Sequence, residues 1–69
     1  MGLSNTLKVQ RAKLDMNQSE LSKLVGVSRQ TISLIERGGY NPSITLVLKL
    51  TNVFGIRTEE LFQYEEDEE

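Results

Sequence analysis

Polar side chains that can bond to the edges of DNA bases are concentrated between residues 28 and 33. Ser28, Arg29 and Gln30 are consecutive, and Ser33 follows one helical turn further on. Arginine can bond to two atoms of guanine at once, and glutamine can do the same with adenine. Small serines allow a helix to approach a surface closely. Polar residues in the first turn of an exposed helix are ordinary, so these residue types alone do not assign a role to the helix.

The composition argues against a catalytic or metal site. The chain has 69 residues with no cysteine and no histidine, so thiolate ligands and the commonest general base are missing. The sequence has no nucleophile–base pair, glycine-rich phosphate loop or metal-ligand cluster, and Glu59 and Glu60 are adjacent on an exposed segment. We therefore predict a protein that is not an enzyme and that holds no cofactor, metal or small-molecule ligand.

Charge is distributed unevenly along the chain. The formal net charge is -2, but residues 65–69 are all acidic, and the other 64 residues carry 8 Lys or Arg against 5 Asp or Glu. The body is therefore basic by three charges, and we predict a folded domain over 1–64 with a disordered acidic tail over 65–69. No apolar run approaches the roughly 20 residues that span a membrane. The N-terminus lacks the apolar core of a signal peptide, so a cytoplasmic protein is expected.

Capping residues predict where two successive helices begin and end. Asn17 and Glu20 form a close relative of a capping box, and Gly26 follows the last apolar residue of that helix. Ser28 is the cap of the next helix, which stops before Gly38. Only two residues separate the helices, so they must cross at a sharp angle.

Three further helices complete the prediction. Their inner faces are expected to include Leu14, Leu24 and Ile44, which fall at helical spacing with other apolar residues. Alternating residues near both termini also suggest a short pair of strands. The remaining helices are predicted over about Leu3 to Leu14, over about Ile44 to Phe54, and from a cap at Thr58.

The segment "NQSELSKLVGVSRQTISLIERG" and the later "YNPS" and "TEELF" resemble the Cro/repressor-type helix-turn-helix family. The resemblance covers about Leu7 to Phe62. It depends on the turn residue Gly26, the small residue Ser22 where the helices cross, and a set of apolar positions. Those positions are Leu21, Val25, Val27, Ile32 and Ile35. The resemblance implies an all-α, compact five-helix domain of the lambda-repressor type, with the helix-turn-helix at the second and third helices.

The resemblance also implies a function. In this family the third helix lies in the DNA major groove, and two-fold dimers bind palindromic half-sites about 34 Å apart. We therefore expect a sequence-specific regulator of transcription, acting as a dimeric repressor on double-stranded DNA. Leu34 departs from the polar residue that often stands at its position, so its side of the helix is left open. The base-reading residues that carry over are Ser28, Arg29, Gln30, Ser33 and Leu34.

Contacts to the DNA backbone are expected at the start of the second helix and after the third, because helix N-termini favour phosphate. Gln18 could instead simply begin its helix. Arg11 and Glu36 resemble the family's ion pair, which orients the reading helix. The backbone candidates are Asn17, Gln18, Arg37, Gly38, Tyr40 and Asn41.

Terminal segments provide the candidate dimer interface. Leu3, Phe62 and Tyr64 are the residues proposed for it, with the alternative that Phe62 packs in the core of its own chain. A second function stays open, in which the same fold serves as an antitoxin-like or partner-binding module. In that case the acidic tail would bind a basic protein or cover the DNA-binding face.

Overall fold

The computed structural model describes residues 2–65. The predicted disorder of the acidic tail concerns residues that, apart from Glu65 at the end of a strand, lie outside the described part of the chain. Five helices and two short strands make up the described part. In chain order they are β1 (Gly2–Asn5), α1 (Leu7–Lys13), α2 (Gln18–Val25), α3 (Arg29–Arg37), α4 (Ile44–Phe54), α5 (Thr58–Leu61) and β2 (Phe62–Glu65).

The N-terminal segment is a strand, so the prediction of a helix from Leu3 is wrong at its start. β1 pairs antiparallel with β2, placing Leu3 opposite Tyr64 and Asn5 opposite Phe62. The backbone N–H of Thr6 continues this link by donating to the carbonyl of Leu61 at 2.9 Å. The spacing of the leucines fits a helix as well as a strand. The N-terminal segment is a strand because it pairs with β2 near the other end of the chain. The expected pair of terminal strands is confirmed.

Local capping residues fix both ends of α2 and the start of α3 as predicted. Asn17 Oδ1 accepts from the N–H of Glu20 at 2.8 Å, and Glu20 Oε1 accepts from the N–H of Asn17 at 2.9 Å. Gly26 ends α2 with a φ of +75°, a conformation that only glycine adopts without strain. Ser28 caps α3 by accepting from the N–H of Thr31 at 3.2 Å. These local contacts produce the helix-turn-helix.

The start of α5 differs from the prediction by one residue. Thr58 is the first helical residue, and Arg57 occupies the capping position. Glu60 Oε1 accepts from the N–H of Arg57 at 2.8 Å, so a glutamate one turn into the helix satisfies the free backbone donor. The Thr58 side chain is therefore not the cap.

The core lies where the helices and β2 meet, and its largest fully buried side chains come from α1 to α5. Three residues predicted on inner faces are instead exposed: Leu14 by 49%, Leu24 by 61% and Ile44 by 70%. Helical spacing identifies an apolar stripe along a helix. Whether a residue at the margin of that stripe is buried depends on where the neighbouring helix packs. The fully buried side chains are Leu7, Leu21, Val25, Ile32, Ile35, Leu50 and Leu61.

Candidate nucleic-acid interface

The first turn of α3 presents its polar side chains to solvent because two isoleucines hold the opposite side. Ile32 and Ile35 are almost completely buried, whereas Arg29 and Gln30 are exposed. Ser28 is exposed as well, but its hydroxyl caps the helix and also pairs with the hydroxyl of Thr31 at 3.0 Å. Arg29 and Gln30 are therefore the long side chains that this turn offers to a ligand.

Leu34, in the next turn of α3, was left without an assigned side of the helix. Its side chain is 42% exposed and lies on the outer side of the helix, whereas Ser33 is half-buried. An exposed leucine on this side is suited to apolar contact with a thymine methyl group. Ser33 is the less accessible of the two.

The N-terminus of α2 lies beside the start of α3. Arg29 Nη1 donates to Gln18 Oε1 at 3.3 Å, and Gln18 Nε2 donates to Glu36 Oε1 at 3.0 Å. Asn17 is exposed, and its side-chain oxygen is occupied by the cap. The first backbone N–H groups of a helix have no partner within the helix and favour an anion. The structure thus brings a candidate base reader and two candidate phosphate contacts together.

An ion pair joins α1 to the end of α3. Arg11 donates to Glu36 through Nε at 2.6 Å and through Nη2 at 3.1 Å, and through Nη1 to the carbonyl of Met16 at 2.9 Å. The two side chains are only 13% and 9% exposed. The hydrogen bond to Glu36 is the main reason why the pKa of Arg11 is raised; burial opposes the shift and the charge of Glu36 adds to it. Because the folded-state pKa of Arg11 is the higher one, the contribution of this shift to folding is present at neutral pH and is lost as the pH becomes strongly alkaline.

The last residue of α3 and the loop that follows it form a second exposed group. Arg37, Tyr40 and Asn41 are exposed. Gly38 has a φ of +87°, and its backbone N–H donates to the carbonyl of Ile35 at 3.0 Å, so this amide is already occupied. Among residues 2–65, no side-chain hydrogen bond joins this loop to the start of α2. The backbone candidates therefore fall into two separate groups.

The three candidate interface residues have different environments. Leu3 is half-buried and faces its strand partner Tyr64, which is 59% exposed. Phe62 is 8% exposed and belongs to the core of its own chain. Of the three, only Tyr64 offers a large free surface to a second molecule.

Sequence reasoning did not predict that Asn5 connects two distant elements. Asn5 Nδ2 donates to the carbonyl of Ile35 at 2.7 Å, and Asn5 Oδ1 accepts from the N–H of Leu7 at 3.0 Å. The contact spans 30 residues of sequence and fastens β1 to the last turn of α3. An asparagine near a strand end carries no sequence signal for such a contact.

Other kinds of site have no support in the described residues. Between residues 2 and 65 no group of acidic side chains is placed to hold a metal ion. No helix in the same range is both long and apolar enough to cross a membrane.

Comparison with known proteins decides the family. The model of the helix-turn-helix family matches residues 7–61. The chain belongs to this family. An uncharacterized HTH-type transcriptional regulator of Methanocaldococcus jannaschii is 47% identical over 66 residues, covering 96% of this chain and 100% of that one. The regulator YgzD of Bacillus subtilis, also uncharacterized, is 40% identical over 65 residues, covering 94% and 98%.

Solved structures share the fold. A protein from Bacteroides fragilis superposes with a TM-score of 0.78 at 23% identity, covering 88% of this chain and 98% of that one. The restriction-modification controller protein C.AhdI from Aeromonas hydrophila has a TM-score of 0.71 at 31% identity, covering 78% and 82%. The resemblance drawn from the sequence is confirmed. Membership in this family of transcriptional regulators supports a DNA-binding regulator and confirms that the protein is not an enzyme.

Proposed function

We propose that the protein binds double-stranded DNA sequence-specifically, with α3 in the major groove. The observation that carries this proposal is the exposed first turn of α3 beside the N-terminus of α2. A 3.3 Å hydrogen bond joins Arg29 to Gln18, so the two helix starts are adjacent and both can reach one stretch of duplex. Base contacts at α3 and phosphate contacts at α2 then act together, the first specifying sequence and the second fixing position.

The exposed side chains divide between these two roles. Arg29 and Gln30 read base edges, and Leu34 contacts a thymine methyl. Ser28 contributes chiefly by capping α3, and Ser33 allows close approach. Phosphate contacts come from Asn17 and Gln18 at one end and from the loop after α3 at the other. Arg37, at the end of α3, supplies donors together with Tyr40 and Asn41 of the loop, and Gly38 permits close approach.

We further propose that the regulator is a dimeric repressor acting in the cytoplasm. Repression requires only that the operator be occupied, which the surface at α2 and α3 provides. A two-stranded sheet leaves backbone groups unpaired at its outer edges, and such edges readily pair with another chain. Tyr64 and Leu3 lie opposite each other on this sheet, and Tyr64 is 59% exposed. In this proposal residues 1–64 form the binding domain and the acidic residues 65–69 stay apart from DNA.

Selection of binding sites from random duplexes at two salt concentrations tests the proposal. We expect one palindromic motif with half-sites about 34 Å apart. We also expect tighter binding at low salt, because phosphate contacts release counterions. Failure to enrich any motif at either salt concentration would contradict sequence-specific binding. An enriched motif without symmetry, together with a monomer in sedimentation at high micromolar concentration, would contradict only the dimer.

A further inference from the structure

Two patches of exposed apolar side chains lie outside the proposed DNA interface and the terminal sheet. At the end of α1 and on α2, Leu14 is 49% exposed and Leu24 is 61% exposed. On α4, Ile44 is 70% exposed and Leu48 is 57% exposed. Single exposed apolar residues need no explanation, but clustered ones mark sites where another protein docks. Each patch is therefore a candidate docking surface.

The first patch is concave. Leu14, Met16 and Leu24 contribute apolar side chains to a groove of about 390 Å³ between the end of α1 and α2, called the α1–α2 groove below. The rest of its lining is charged and consists of Asp15, Glu20 and Lys23. Two carboxylates and one ammonium group give the groove a formal charge of -1. The groove is therefore suited to apolar side chains that have a positive charge beside them.

The second patch is convex and belongs to a single helix. Ile44 and Leu48 are four residues apart on α4, so they lie one turn apart on the same side. Lys49 is also exposed and is the only charged residue of α4. Val47 and Leu50 are buried and hold the other side of the helix in the core. The α4 face, made of Ile44, Leu48 and Lys49, thus presents two apolar anchors and one positive charge.

The α4 face and the α1–α2 groove complement each other. A helix that binds in a groove inserts side chains at positions i and i+4, which is the spacing of Ile44 and Leu48. Lys49 has the opposite charge to Asp15 and Glu20 in the groove lining. Within one chain the two patches cannot meet, because the buried side of α4 is fixed in the core beside α2. The partner that this complementarity indicates is therefore a second copy of the chain.

We propose that the α4 face of one copy docks in the α1–α2 groove of a second copy. The contact joins two unlike surfaces, so each pair leaves one groove and one α4 face open to further copies. It therefore differs from the terminal sheet, where the proposed dimer pairs identical surfaces. On one duplex, neighbouring copies meet at a high effective concentration, which strengthens the contact. That consequence rests on the proposed DNA binding, whereas the docking itself does not.

Disulfide trapping tests the contact, because the chain has no cysteine of its own. Lys23→Cys places a thiol at the groove, and Thr45→Cys places one on the exposed side of α4 beside the anchors. Both substitutions leave every apolar residue of the contact in place. The two purified variants are mixed in equal amounts under mild oxidation. We expect the mixed disulfide to form about tenfold faster than in a control mixture, because docking raises the local concentration of the thiols.

The control mixture contains Lys8→Cys in place of Lys23→Cys. Lys8 is exposed on α1 and lies outside the groove lining, so this variant also exchanges an exposed lysine for a thiol. Equal rates in the two mixtures would overturn the inference. It is also overturned if Thr45→Cys links to itself faster than to Lys23→Cys, because α4 would then pair with α4 of the second copy.

Removal of an anchor or a charge gives a second test. Leu48→Ser added to Thr45→Cys should lower the rate to that of the control mixture, and Lys49→Glu should lower it because like charges then meet. Val9→Ser is the matched control, since Val9 is 53% exposed on α1 outside both patches, and it should leave the rate unchanged. A rate that Leu48→Ser does not alter would contradict the docking.

Thermal unfolding confirms that each of these variants is folded. None of the measurements uses DNA. The docking and the proposed DNA binding can therefore fail independently, and the two failures are distinguishable.

Discussion

Arg11 makes hydrogen bonds to two other parts of the molecule, both next to the proposed DNA-binding surface. Its guanidinium donates to both oxygens of Glu36 and to the carbonyl of Met16, just before the start of α2. It therefore ties α1 to the end of α3 and to the entry of α2. Both charged groups are largely withdrawn from water, and the cost of desolvation offsets much of their attraction. We interpret the pair as an orienting device rather than a net source of stability.

Two variants test whether the ion pair of Arg11 and Glu36 contributes to the stability of the fold. Arg11→Met leaves the Glu36 carboxylate largely buried without its cation, so we expect it to lower the free energy of unfolding by about 3 kcal/mol. Arg11→Met combined with Glu36→Leu removes both charges and should recover most of that loss. Urea denaturation measures both variants. A double variant that remains as unstable as Arg11→Met would show that the pair makes a net contribution to stability and would contradict this interpretation.

The ion pair was predictable by resemblance, whereas the contact between Gln18 and Arg29 was not. Types and positions of Arg11 and Glu36 match a family pattern that is visible in the sequence. The bond between Gln18 and Arg29 depends on the rotamers of two flexible side chains and on how α2 crosses α3. Neither quantity is encoded in local spacing.

At the scale of the elements, boundaries followed the sequence wherever a local signal determined them. Asn17, Ser28 and Ser43 each cap a helix through contacts within the next three residues. β1 is different, because its partner lies at the other end of the chain and the leucine spacing alone favoured a helix. Leu24 and Ile44 were predicted to be buried and are exposed, for a related reason. Periodicity identifies an apolar stripe but does not show how much of it a neighbouring helix covers.

The turn of the helix-turn-helix depends on the backbone freedom of Gly26. An alanine there would have to adopt a φ of +75°, so we expect Gly26→Ala to destabilise the protein by about 1–2 kcal/mol. Gly39→Ala is the matched control, since Gly39 has open space around its Cα and lies outside the positive-φ glycines. That substitution should be neutral or slightly stabilising. Thermal and urea unfolding measure both, and equal effects would contradict the role assigned to the turn.

The contact of β1 with α3 gives a second prediction at this scale. Asn5→Ala removes the 2.7 Å hydrogen bond to the carbonyl of Ile35, so we expect a loss of about 1–2 kcal/mol in the free energy of unfolding. Asn52→Ala on the exposed side of α4 is the control and should cause no loss. Hydrogen exchange should also show faster opening of the last turn of α3 in Asn5→Ala. Unchanged exchange there would contradict the fastening role of Asn5.

At the scale of the whole molecule, the two ends of the described chain meet in one small sheet beside the last turn of α3. Asn5 connects this sheet to the last turn of α3, so a second copy docked on the sheet would be rigidly related to the reading helix. Two-fold symmetry in the protein would then be matched by symmetry in the operator. The net charge of -2 does not indicate a DNA-binding protein. Residues 65–69 are all acidic, whereas the other 64 residues carry an excess of three positive charges.

Substitution of the exposed tyrosine tests the proposed dimer. Tyr64→Ser removes the largest free apolar surface on the sheet, so we expect dimerisation to weaken about tenfold or more, as at other interface aromatics. Tyr40→Ser is the control, because Tyr40 lies in the loop after α3 and should not affect self-association. Sedimentation over a range of concentrations compares the variants. Identical dissociation constants for wild type and Tyr64→Ser would remove the sheet from the interface.

The central claim, that α3 reads bases in the major groove, is tested most directly with Arg29→Ala. Dissociation constants are measured for wild type and variant on the selected duplex and on every single-base-pair change within it. We predict that Arg29→Ala loses discrimination at one base pair per half-site, by about 1–3 kcal/mol, and retains it elsewhere. Weakening by the same factor on every duplex would show that Arg29 contacts only the backbone, and would contradict the account.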